Sequence, residues 1–124
     1  MTTEIPPNSW DSFCVQLADW HRGTVSIQWF QPGGDIRTVL ENQPLQTVRF
    51  EKRSDACSDM MTFEAGPPGE RLIKHEILEP FSIILRKSAT GGHYHEMEIL
   101  AESGRTAIFF SPGIEPAMVE KLAA

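Results

Sequence analysis

The chain has 124 residues, 40% hydrophobic and 23% charged, and carries a formal net charge of −6. That is one domain by length, large enough to bury a core without staples, and too acidic for a nucleic-acid binder, which needs a basic stripe to displace counterions. No apolar run approaches the roughly 18 residues that span a bilayer. The N-terminus also lacks the basic and apolar regions of a signal peptide, so the expected location is cytoplasmic.

Asn8 or Ser9 can cap a first helix, with Asp11 in its first turn where it suits the dipole. Trp10, Phe13, Cys14, Leu17 and Trp20 follow at three- and four-residue spacing, which is one apolar helix face, and Gly23 ends the helix. Cys14 on that face and Cys57 in a later loop read as two reduced thiols, since Asp55 and Asp59 would raise rather than lower the Cys57 pKa.

Eight β-patterned segments come next, each closed by turn residues: 24–30, 36–40, 45–52, 60–65, 71–78, 81–87, 93–100 and 105–111. Glu41-Asn-Gln-Pro44 separates the second from the third, Gly66-Pro-Pro-Gly69 the fourth from the fifth, and Pro112-Gly113 stops the eighth. A short helix over 115–122 closes the chain. Connections this short pair neighbours antiparallel and leave no room for βαβ crossovers. The fold class is therefore mainly β: an eight-stranded antiparallel up-and-down barrel over 24–111, with an N-terminal arm and helix (1–23) and a C-terminal helical segment (112–124) in one domain. Closure is preferred to an open sheet or a sandwich because it removes both exposed edges.

The entry to the first strand carries a further signal. Trp10-x-x-Phe13, then Leu17-x-x-Trp20-x-x-Gly23 and a Pro32-Gly33-Gly34 turn, resembles a cyanobacterial and plastid family of unknown function in the calycin superfamily. That group is related to lipocalins and, more loosely, to phycobiliprotein chromophore lyases, and Phe63-Glu-Ala-Gly-Pro-Pro-Gly69 is similar to it as well. The resemblance implies an antiparallel barrel holding a small hydrophobic or amphipathic ligand of the tetrapyrrole, carotenoid or fatty-acid type.

Candidate ligand-binding residues are Trp29, Phe63, His75, His95, Met97, Arg49 and Arg86. Alternation puts His93 and His95 on one strand face with Met97 and Ile99, inward if that face is the core. A cupin-like metal site built on them fails on two counts: Glu96 is adjacent and on the wrong face, and no His follows Leu100. Arg49 and Arg86 are the side chains suited to bind a ligand carboxylate through a planar fork. The pattern turns both outward, Arg49 opposite Val48 and Phe50, Arg86 opposite Phe81, Ile83 and Leu85. Met60, Met61, Met97, Phe63, Phe81, Phe109 and Phe110 read first as core.

No nucleophilic triad, phosphate loop or zinc spacing is present, and no cofactor is predicted. Three functions follow from different states of the interior. A hollow barrel, with a cavity of about 300 Å³ or more, binds a small hydrophobic ligand without catalysis. A solid one is a protein-interaction or assembly module, with Phe30, Tyr94 and Leu100 marking a homodimer or partner surface. The third is a cupin-like metal-dependent enzyme using His93 and His95.

Overall fold

The computed structural model describes residues 2–51, 59–87 and 92–123, the last four of these by backbone alone. Cys57, its loop, and most of the Ser88–Gly92 turn lie outside the described residues. In chain order the elements are β1 (Thr2–Glu4), a 3₁₀ turn (Pro7–Ser9), α1 (Trp10–Trp20), β2 (Thr24–Phe30), β3 (Ile36–Glu51), β4 (Met60–Ala65), β5 (Ile73–Leu78), β6 (Ser82–Lys87), β7 (Tyr94–Ala101), β8 (Gly104–Ile114) and α2 (Pro116–Ala123).

The strands form one antiparallel sheet of eight, in the order β1-β6-β7-β8-β2-β3-β4-β5. The count of eight is as expected, but its members differ. Residues 36–40 and 45–52 are not two strands divided by a turn; 36–51 is one bent strand, and the missing member is the N-terminal β1. The bend has a physical cause. Val25 faces Gln43 and Ile27 faces Leu40, so Glu41 and Asn42 together oppose the single residue Ser26. Asn42 takes a left-handed φ of 48°, a conformation Asn tolerates better than most residues. Pro44 follows this bulge, and its carbonyl accepts the Gly66 N–H at 2.9 Å. Beyond it β3 leaves β2 and pairs with β4.

The first and last predicted barrel strands do meet, as β2 against β8. The ladder opens instead between β5 and β6, which follow each other in sequence. At their corner Glu79 has a φ of 50° and Pro80 offers no N–H. The Glu79 N–H goes back to Asp59 O and the Phe81 N–H to Leu100 O, so the corner's donors serve strands on either side. The outer edge of β6 is taken by β1, with Thr2 opposite Arg86, and by the Ile5 N–H on Ile83 O. The result is a curled sheet with a seam between β5 and β1.

Strand alternation places the core. Ile27, Ile83, Ile99 and Ile108 are 0% exposed and Met61, Phe63 and Met97 1%, so no water-sized void adjoins them. The apolar face of α1 joins this core through Trp10, Phe13, Cys14 and Leu17. Trp10 stands edge-on to Phe50 at 5.6 Å and donates its Nε1–H to Ile5 O at 2.8 Å. Burial pushes the Cys14 thiol up to about 12, with the Asp11 charge adding to it, which leaves Cys14 an inert packing residue.

Several boundaries are corrected. The helix ends at Trp20, where the His21 N–H still reaches Leu17 O, and Ser9 caps without a side-chain bond. Gly23 serves the next step: a Cβ there would collide with the Ser111 carbonyl of β8. β8 runs through Pro112-Gly113 to Ile114. Phe81 at 61% exposure and Phe109 at 39% are not core residues. Phe81 lies at the seam corner, and Phe109 falls on the outward phase of β8 between the buried Ile108 and Phe110. Tyr94 is not an outward surface residue either, being 1% exposed with its hydroxyl 2.6 Å from Thr3 Oγ1.

Candidate functional site

Of the seven ligand-binding candidates, the structure brings Trp29 and His75 together and places Phe63 directly opposite His75 in the β4–β5 ladder. Trp29 is the last inward residue of β2, two beyond Ile27; its Nε1–H donates to Ser103 O in the β7–β8 turn at 2.9 Å. The Trp29 and His75 ring centroids are 6.1 Å apart at 60°. His75 Nε2 lies 3.0 Å from Thr106 Oγ1. β5 and β8 have three strands between them in the sheet, so this bond spans the concave face and shows how tightly the sheet curls.

These groups line a pocket of about 180 Å³ with Ile77, Leu78, Glu76 and Ser103 where β5 reaches the seam. Trp29, Ile77 and Leu78 supply its apolar and aromatic surface, and its polar residues are His75, Thr106, Ser103 and Glu76. Burial first, and then the charge of Arg37, hold the His75 pKa below its ordinary value of 6.5. Arg37 is placed to do this because it stands directly opposite Trp29 in the β2–β3 ladder. His75 is accordingly neutral at neutral pH, with one ring nitrogen engaged by Thr106. Among the described residues no protein group bonds the other, Nδ1, leaving it free to donate to or accept from a guest according to tautomer.

The Thr106–His75 spacing is that of a nucleophile and its base. Thr106 is 2% exposed, and among the described residues no carboxylate bonds Nδ1; the pair ties β8 to β5 across the concave face. Thr106 is not legible as a candidate from the residues alone, because nothing in the sequence says that β8 faces β5. The available signal was its inward phase, two residues before Ile108.

The other candidates lie elsewhere. Met97 is packed in the centre. Arg49 sits on the outer face, 3.3 Å from Glu64, whose Oε1 also accepts the Thr47 hydroxyl. Arg86 contacts Glu98 at 3.3 Å, and Arg105 reaches the same carboxylate at 2.7 Å while stacking over Phe30 at 4.0 Å. Both arginines are tied to carboxylates outside the core, as their strand phase implies.

His93 and His95 do not turn inward. A register shift between Tyr94 and Glu96 breaks the alternation, putting Tyr94 inside and leaving both histidines exposed. They flank Gly113, where a Cβ would come within 2.8 Å of His95 Cε1 and 2.9 Å of His93 Cβ. Among the described residues no three His, Cys, Asp or Glu side chains gather to hold a metal, and no helix is long and apolar enough to cross a membrane.

Compared with protein-family models, with curated proteins and with solved structures, the chain matches none.

Proposed function

We propose that this chain is a non-catalytic, calycin-like binding protein whose ligand enters at the seam pocket instead of filling the centre of the sheet. The observation that carries this reading is the His75–Thr106 pair beside Trp29. It is a polar, neutral anchor with a ring nitrogen free of protein partners among the described residues, set beside Trp29 and Ile77 and open to a pocket of about 180 Å³. An apolar wall with few convergent polar groups is the usual make-up of a small-molecule site. The volume is below the range of about 300–1,000 Å³ that encloses a drug-sized ligand. It therefore favours a small amphipathic molecule, or the end of a chain-like one such as a fatty acid, over a broad tetrapyrrole.

Native mass spectrometry of protein taken from its host, followed by titration of Trp fluorescence with fatty acids of graded length, tests this. A retained small-molecule mass, and a fluorescence change lost in Trp29→Phe, are expected. No retained mass together with no response from Trp29 would sink the reading.

A second reading is favoured by the packed centre and by exposed apolar side chains, notably Ile36 and Phe81 at 61%. In that case the fold is a solid interaction module that pairs with another copy of itself. Its mark is a solution mass that rises with concentration and falls back in Ile36→Ser.

A further inference from the structure

A second recess, of about 430 Å³, lies on the other side of the sheet at the β3 bulge. Ser26 and Gln28 form its floor on the outward phase of β2, alternating with the inward Val25, Ile27 and Trp29. Next to Gln28 in the β2–β8 ladder is Ala107, whose short side chain keeps the floor low. Phe109, opposite Ser26 on β8, makes one wall. The other is the bulge, which carries Glu41 and Asn42 outward and is pinned by the Asn42 N–H on Ser26 Oγ at 3.0 Å. Thr38, opposite Gln28, completes the lining.

The chemistry of this recess narrows its guest. The side chains of Gln28, Thr38 and Asn42 have no protein partners among the described residues, so two planar amides and a hydroxyl offer donors and acceptors on neighbouring strands. Phe109 presents an exposed ring beside them. One carboxylate and no cation line the space, which disfavours anions, and Phe109 and Leu40 are too little apolar surface for a lipid. A neutral polyhydroxylated ring fits both halves: its hydroxyls pair with amides, and its C–H face lies on the aromatic ring.

We infer that the outer face of β8-β2-β3 is a carbohydrate-binding site for a neutral saccharide, with Phe109 as the stacking platform and Gln28, Thr38 and Asn42 as the hydroxyl readers. This site is separate from the seam pocket and stands or falls independently of it.

The test is saturation-transfer NMR with glucose, galactose, mannose, N-acetylglucosamine and their disaccharides, with glucosamine and glucuronate as charged controls. At least one neutral sugar is expected to receive saturation and to shift the side-chain amide resonances of Gln28 and Asn42. Phe109→Leu, which keeps apolar bulk but removes the ring face, is expected to weaken binding by about tenfold, with an unchanged melting temperature. Gln28→Ala supplies a second loss that does not touch the apolar wall. The inference is overturned if no neutral sugar responds, if the response survives both substitutions, or if only glucosamine binds, which would make the site a cation trap led by Glu41.

Discussion

The centre of the concave face and its seam end are made by neighbouring positions on the same or adjacent strands, yet on opposite terms. Ile27, Ile108 and Phe63 lie in the centre; Trp29 follows the first on β2, Thr106 precedes the second on β8, and His75 faces the third across the ladder. In the centre every inward group is apolar and packed without a void, so each one's contribution is dispersion and burial. At the seam the inward His75 and Thr106 are polar and are bonded to each other through Nε2 and Oγ1. A mutual hydrogen bond of that kind roughly offsets the desolvation of its partners and adds little net stability. The centre thus accounts for the fold, and stability alone gives no reason for the seam pair.

The largest expected effect tests the centre. Phe63→Ala removes a ring that is 1% exposed, at a cost of about 3–5 kcal/mol. Urea denaturation followed by far-UV circular dichroism measures it. A loss under 1 kcal/mol would mean that the centre is loose, and the contrast with the seam would disappear.

The seam should answer differently. His75→Leu leaves the Thr106 hydroxyl buried without a partner and should cost about 1–3 kcal/mol, as should Thr106→Val, which strands the imidazole. The double variant removes both polar groups and should return close to the wild-type stability. The cycle therefore predicts strong coupling in stability, while ligand binding at the pocket is lost in all three variants. Additive losses would show that the two side chains do not share a bond in solution.

The same contrast explains what could be read from the residues alone. The centre was legible: Val25, Ile27 and Trp29 alternate cleanly, and Ile77, Ile83, Leu85 and Ile99 fall on the faces that their periodicity assigns. The apolar stripe of α1 was legible too, from Trp10 to Leu17. Departures arose where a bulge changes the phase. The one after Ser26 joins two expected strands into β3, and the one before Glu96 exchanges Tyr94 for His95 on the inner face. Bulges are set by cross-strand fit, which local patterning does not carry. The seam was hidden for a related reason. β1 is three residues long, and its partner β6 lies some eighty positions away in sequence, so no local signal announces the pair. His75 and Trp29 are among the sequence candidates, but their meeting with Thr106 depends on how far the sheet curls.

The smallest effect, and the one most specific to the seam, is a pH dependence. In the unfolded chain His75 titrates at its ordinary value of 6.5; in the fold, burial first and then Arg37 hold it lower. Above that pH both states are neutral at this position and His75 adds no slope. As the pH falls through 6.5 the unfolded chain takes up a proton that the folded state refuses, so stability declines, and the decline levels once the folded value is passed. The wild type should therefore lose melting temperature on acidification faster than His75→Leu, although the variant starts lower. Centre variants away from His75, such as Ile83→Ala, remove no titrating group and leave its surroundings in place, so they should run parallel to the wild type. If His75→Leu runs parallel too, the imidazole is solvated in solution and the seam is as open to water as the outer face.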